Sequence, residues 1–172
     1  MTKRKTGPIR MGVVGCGRAG WGMHKQELEA LGGLFRVVAA CDVDSKRRDM
    51  MASEYGCSTY ATIEDLLADP QVELMDIATR STEHAEHAIL ALRAGKKVFL
   101  EKPIALSLRE TRKLARVAAR YPKALFVRHN RRFEPAFQHV REIIHSGLLR
   151  EVYEINRPRH SYQRRWDCPG AC

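Results

Sequence analysis

Short apolar runs alternate along this chain with longer stretches whose apolar positions recur at helical spacing. That alternation marks parallel βαβ units, in which strands covered on both faces read as nearly continuous apolar runs. Ile9 to Val14 reads as the first strand, and Ala19 to about Leu31 as its helix, stopped by Gly32-Gly33. Phe35 to Cys41 is a second strand, and Ser45 to about Tyr55 a helix that Gly56 ends. A brief third strand fits near Thr59-Tyr60, followed by a short helix capped at Thr62 and closed off by Pro70. Leu74 to Ala78 is the fourth strand. Glu83 to about Arg93 is the next helix, with Thr82 as its cap and Gly95 just past its end. Val98 to Leu100 is a fifth strand. Ser107 and Glu110 have capping-box spacing and open a helix to about Arg120, before a sixth strand at Leu125 to Arg128.

Six strands joined by right-handed helical crossovers predict an α/β fold: a doubly wound parallel sheet in the order 3-2-1-4-5-6, spanning residues 1–127. Beyond it the pattern changes. Pro135 to about Ser146 is an amphipathic helix ending at Gly147, and Val152 to Asn156 alternates like a strand. A strand needs partners, since a lone edge exposes unpaired backbone groups. The chain supplies none after it, so residues 128–172 read as the start of a truncated α+β second domain.

With 44% of residues hydrophobic and 29% charged, the chain has the balance of a soluble globular protein rather than a disordered or fibrous one. No apolar run approaches the roughly 20 residues that cross a bilayer, so no membrane partner is expected. The basic start, Met1 to Arg10, leads into a glycine-rich turn instead of an apolar signal core, so a cytoplasmic location is expected. The five cysteines (16, 41, 57, 168 and 172) form no CxxC pair, which predicts a reduced compartment and no metal site. Net charge is +10, and half of that excess falls in residues 123–172. No recognition-helix or single-strand-binding pattern accompanies it, which argues against nucleic acid. The excess suits a site for an anionic cofactor, or a solvated face.

Two motifs carry the chemistry. Gly15-Cys16-Gly17-Arg18-Ala19-Gly20 follows an apolar strand and opens a helix. Glycines there permit a tight turn and close backbone approach, while N–H groups at the helix start favour phosphate oxygens. Asp42 follows Gly20 by 22 residues, at the end of the second strand, where a carboxylate accepts from adenosine ribose hydroxyls. An acid at that point favours NAD over a 2′-phosphate; Lys46, Arg47 and Arg48 partly offset its charge and leave NADP open. The second motif, Glu101-Lys102-Pro103, ends the fifth strand. Ligands of open parallel sheets bind at the carboxyl ends of strands, so Lys102 is placed to exchange a proton with a substrate hydroxyl.

The whole pattern resembles the glucose–fructose oxidoreductase, inositol dehydrogenase and rhizopine-catabolism (Gfo/Idh/MocA) family. The matching stretches are Gly12 to Gly20, Asp76-Ile77-Ala78-Thr79 with His84, Ala94 to Pro103, and Asn130-Arg131-Arg132-Phe133 with Pro135. The resemblance implies a Rossmann-type domain and hydride transfer between NAD(P) and a secondary alcohol or ketone of a sugar, cyclitol or similar polyol. It implies that Lys102 touches nicotinamide ribose and substrate, that Glu101 contacts the ribose, and that Thr79 and His84 lie along the nicotinamide half. It implies further that Arg47 reaches the adenosine ribose or its phosphate, that Asn130 helps hold the cofactor, and that Arg165-Trp166 corresponds to a cofactor-contacting pair. Arg131 and Arg132 are a family signature, with an ion-pairing role for at least one.

Departures qualify this. Arg80 stands where the family commonly has proline after Thr79. The family's acid–base histidine and its accompanying aspartate lie beyond Cys172, in a domain that also forms the substrate wall and, in the full protein, a homo-oligomer. Two functions are therefore carried forward: a polyol oxidoreductase, and a non-catalytic dinucleotide-binding module that senses or carries the cofactor. The retained Lys102 favours the first.

Overall fold

The structure, a computed structural model, describes residues 7–31, 33–156 and 158. Six parallel strands form one sheet in the order β3-β2-β1-β4-β5-β6. They are β1 (Ile9–Val14), β2 (Phe35–Cys41), β3 (Ser58–Tyr60), β4 (Leu74–Ile77), β5 (Lys97–Leu100) and β6 (Leu125–Val127). The helices between them are α1 (His24–Ala30), α2 (Ser45–Tyr55), α3 (Ile63–Ala68), α4 (His84–Arg93) and α5 (Leu108–Ala118). This is the doubly wound sheet that the alternation predicts.

Two apolar clusters explain why the strands carry so few polar positions. On one face, β1, β2, β4 and β5 pack Val14, Ala39, Met75, Ile77 and Leu100 against Leu66 of α3, Ala88 and Leu92 of α4, and Leu114 of α5. On the other, Met11, Val13, Val37 and Ala40 meet Met51 of α2, with Trp21 and Leu28 beside them. A register shift against Met11/Gly12 gives β2 one extra residue, so Val38 and Ala39 both touch the first cluster while Val37 and Ala40 keep the second. The bulge rephases the side-chain alternation so that both faces of β2 stay apolar.

Local signals account for most boundaries. The Asp44 side chain accepts from Lys46 N at the start of α2, and Thr62 from Asp65 N at the start of α3. Ser107 and Glu110 close a reciprocal capping box on α5. Gly56 ends α2 with φ 59°, a left-handed position that suits a residue without Cβ.

Three expectations are corrected. The first helix opens as a π-helical turn, Arg18–Met23, before α1; the widened turn delays the following side chains by one position relative to a regular helix. Thr82 does not cap α4. The chain makes a tight turn at residues 80–83, closed by Glu83 N donating to Arg80 O (2.9 Å), and the N-cap falls on Glu83 with no side-chain cap bond. Residues 152–156 form no strand, and no neighbouring strand pairs with them among the described residues, as an unpartnered edge predicts.

Residues Met1–His129 form one compact unit and Asn130–Cys172 a second. The second unit contains a 3-10 turn, Asn130–Phe133, and helix α6 (Pro135–His145), with Pro135 in its first turn. None of the residues of α6 is fully buried. Among the described residues no helix is long and apolar enough to cross a membrane.

Candidate cofactor and active site

The loop after β1 is shaped by contacts that only glycine allows. Gly15 has φ +87°, and a Cβ on it would lie 2.7 Å from the Ala78 carbonyl group and 2.8 Å from Thr79 N. A Cβ on Gly20 would lie 2.2 Å from the Gly15 carbonyl oxygen. The two glycines thus let the loop, the end of β4 and the first helical turn touch backbone to backbone. Trp21 N donates to Gly17 O (2.9 Å), closing the turn.

Asp42 fastens this loop to β2. Its Oδ2 accepts from Cys16 N (2.8 Å) and its Oδ1 from Asp44 N (2.9 Å). Arg47 reaches the same carboxylate at 3.5 Å, and a Cβ on Gly17 would meet its guanidinium at 3.4 Å. Arg48 donates instead to the carbonyls of Asp42 and Val43. Around these groups lies a cleft of about 840 Å³, walled by Gly15, Gly17, Arg18 and Ala19, by Asp42 and Arg47, and by Thr79, Arg80 and His87. It sits at the carboxyl ends of β1, β2 and β4, where the strand order reverses. Ligands of open α/β sheets bind at such a switch point.

A second assembly lies at the end of β5. Glu101 is buried, and its Oε1 accepts from Arg128 Nη1 (2.5 Å) and faces His24 Nε2 (3.1 Å), while Oε2 accepts from Lys102 N (3.0 Å). His24 Nδ1 stands 2.6 Å from Asp76 Oδ2, and Arg128 Nη2 donates to Glu27. Burial opposes ionisation of Glu101, but His24 and Arg128 outweigh it and hold the carboxyl down at about 2. Burial likewise works against the His24 cation, yet Asp76 and Glu101 raise it to about 9. Burial pushes the Cys16 thiol up to about 12, so it is an inert wall of the loop rather than a nucleophile.

The Gfo/Idh/MocA family model, that of an oxidoreductase family with an NAD-binding Rossmann fold, matches residues 9–129. The chain belongs to this family. It is 30% identical over 169 residues to the scyllo-inositol 2-dehydrogenase (NADP(+)) IolW of Bacillus subtilis, covering 95% of this chain and 46% of that protein. It is 34% identical to the inositol 2-dehydrogenase of Rhizobium meliloti, covering 84% of this chain and 43% of the relative. Among solved structures, the WlbA dehydrogenase of Chromobacterium violaceum, in complex with NADH and UDP-GlcNAcA, superposes with a TM-score of 0.78 at 26% identity, over 86% of this chain and 41% of that one. The chain spans less than half the length of the curated relatives it matches.

Set on this Gfo/Idh/MocA frame, the expected residues divide into groups. Gly15, Gly17, Arg18, Ala19, Asp42, Arg47 and Thr79 line the cleft; Cys16 and Gly20 are buried within the loop behind it. Lys102 is exposed, stands two residues past β5 and just before a cis bond to Pro103, and lies outside that cleft's lining. His84 is buried, with Nδ1 2.7 Å from Pro103 O and Nε2 3.1 Å from Thr79 O. It bridges the end of β4 to the turn carrying Lys102. Asn130 belongs to the second unit, where its Oδ1 accepts from Arg131 N, and Arg131 pairs with Glu134 at 3.1 Å. Arg165, Trp166, Cys168 and Cys172 lie outside the described residues.

Several site residues were not foreseen. His87 lines the cleft with Nδ1 3.2 Å from Thr79 Oγ1, and burial lowers its basicity. Its position one turn beyond His84 on α4 was the available signal. Asp76 stood in a family-matching stretch without a role of its own. His24, Glu27 and Arg128 carry no such signal, because their partners lie as far as 101 residues away in the chain.

Proposed function

We propose that this chain is the cofactor-binding part of an NAD(P)-dependent oxidoreductase that moves a hydride between a nicotinamide and the secondary alcohol or ketone of a cyclitol, sugar or similar polyol. The observation that carries this reading is the cleft at the switch point, with a glycine-only cradle on one side and the Asp42–Arg47 pair on the other. A Cβ at Gly15 or Gly20 would collide with the backbone of Ala78, Thr79 or Gly15, so glycine at both positions keeps the tight strand-to-helix turn that suits a pyrophosphate. The cleft's volume falls within the range of roughly 300–1,000 Å³ usual for small-molecule sites. Relatives whose names describe inositol dehydrogenases support the substrate class.

When bound, the nicotinamide supplies the hydride acceptor or donor. Everything else falls to side chains. The loop from Gly15 to Gly20 would hold the pyrophosphate through backbone N–H groups other than those of Gly15 and Cys16, which are given to Cys41 O and Asp42. Asp42 would hold the adenosine ribose, with Arg47 ready to meet a 2′-phosphate. Thr79 and His87 would bound the opposite wall. Lys102 Nζ would hold or move the proton of the reacting hydroxyl. The substrate wall, a homo-oligomer and a cytoplasmic location are proposed for the complete protein on family resemblance.

Calorimetric titration of the chain with NAD and NADP tests the first step. Saturable binding of at least one is expected, and binding of neither would overturn the reading. In the complete protein, Lys102→Ala should lower kcat by roughly 10²–10⁴-fold while leaving the NAD dissociation constant nearly unchanged. Unaltered kcat would remove Lys102 from the chemistry.

A further inference from the structure

We propose that His24 is a positioning residue for Lys102: as an imidazolium it ties Asp76 to Glu101, whose other oxygen holds the Lys102 backbone N–H. The proposal rests on the reading of Lys102 as the proton-handling group. The geometry leaves His24 one protonation state. Both of its ring nitrogens face carboxylate oxygens, Asp76 Oδ2 at 2.6 Å and Glu101 Oε1 at 3.1 Å. Ionised carboxylates only accept hydrogen bonds, so each nitrogen must carry a proton. Asp76 has no alternative. Its Oδ1 is buried with no partner, so His24 is the sole cation and sole donor on this carboxylate among the described residues.

The groups facing His24 come from every strand packed against it. Asp76 lies on β4 and Glu101 follows β5; Arg128 follows β6 and bonds Glu101, and Phe99 of β5 meets the imidazole edge-on at 6.2 Å. Glu27, one turn further on α1, takes the other end of Arg128. The raised His24 basicity, to about 9, agrees with this arrangement. On losing its proton, the imidazole keeps a single N–H. The shorter bond to Asp76 retains it, and Nε2 then turns a lone pair toward Glu101 Oε1. Glu101 is left to Arg128 and the Lys102 N–H alone, and the turn carrying the amine loses one of its fixed supports.

The test uses the 172-residue chain and nuclear magnetic resonance, following the His24 ring nitrogens and the Lys102 backbone amide from about pH 6 to about pH 10. At neutral pH both ring nitrogens should be protonated, and the Lys102 amide should shift with the His24 midpoint, near 9. In His24→Gln that step should vanish, while the amides of α4 and β1 stay in place. A singly protonated ring at neutral pH, or a Lys102 amide that ignores the His24 midpoint, would overturn the proposal. Should His24→Gln fail to fold, the titration of the unaltered chain decides alone. Cofactor titration of the same sample keeps the two ideas separate. Intact NAD binding without coupling overturns only the positioning role; coupling without any cofactor binding upholds it and overturns the proposed function.

Discussion

At the glycine-loop end of the site, backbone meets backbone: a Cβ on Gly20 would stand 2.2 Å from the Gly15 carbonyl. At the Glu101 end, five ionisable side chains interlock between α1, β4, β5 and β6, the three carboxylates Asp76, Glu101 and Glu27 being joined through His24 and Arg128. The first end depends on steric fit and tolerates no added atom. The second depends on opposite charges that compensate one another's desolvation, and it responds to pH. Shape holds the loop; charge holds the Lys102 turn.

The largest effect should come from breaking the steric end. Gly20→Ala forces a backbone clash that no rotamer relieves, so a loss of about 4 kcal/mol or more, or failure to fold, is expected in thermal or denaturant unfolding. A mild change in melting temperature would mean that the loop yields. Next, Arg128→Ala strips a buried cation from Glu101 and Glu27, at a cost of about 3–5 kcal/mol. A cost below about 1 kcal/mol would show that water replaces the guanidinium.

The pH dependence of stability distinguishes the two ends. His24 is raised from 6.5 to about 9 in the fold, so its contribution is fully present below 6.5 and is lost as pH rises through 9. Glu101 is lowered from 4.5 to about 2, so its contribution is present above 4.5 and is lost as pH falls through 2. The cluster therefore stabilises most between these limits, in the region of pH 4.5 to 6.5. The change across either flank should be about 3 kcal/mol, and the two are not additive because they share one contact. Denaturant melts over pH measure it; the loop end should contribute only above pH 9, where its buried Cys16 thiol, raised from 9 to about 12, adds a further loss. A flat profile above 6.5 would contradict the His24 assignment.

The smallest effect sharpens the loop end. Asp42→Ala should weaken NAD about tenfold and NADP less, since the lost carboxylate served the ribose hydroxyls and opposed a 2′-phosphate. Equal loss of both would confine Asp42 to its observed bond with Cys16 N.

How much of this was legible follows the same division. Strands β1 and β2 occupy the expected residues, because a strand covered on both faces must be an unbroken apolar run. The Ser107–Glu110 capping box and the stop at Gly56 were readable because their partners lie within one turn. The π turn at Arg18–Met23 was not, since one extra residue in a helical turn leaves no mark in composition. Thr82 had the right chemistry for a cap but lay inside a turn closed between Arg80 and Glu83. The alternation at 152–156 had the right period without a neighbour to pair with among the described residues. Helix α4 buries six residues and α6 none, although both carry apolar positions at helical spacing. Periodicity states which face wants burial, and only a neighbour supplies it.

From the sequence alone came the doubly wound sheet, the glycine loop with its acid, and the Lys102 motif at a strand end. Each rests on spacing within one element or one βαβ unit, where chain geometry fixes the relation between residues. Tertiary structure alone decided that His24 faces inward and that Asp76 has a single partner among the described residues. It also decided that His84 bridges two carbonyls, and that Arg128 joins Glu101 to Glu27. These relations depend on the register of four separate elements and on burial, which raises the cost of an unpaired charge and so selects the pairing.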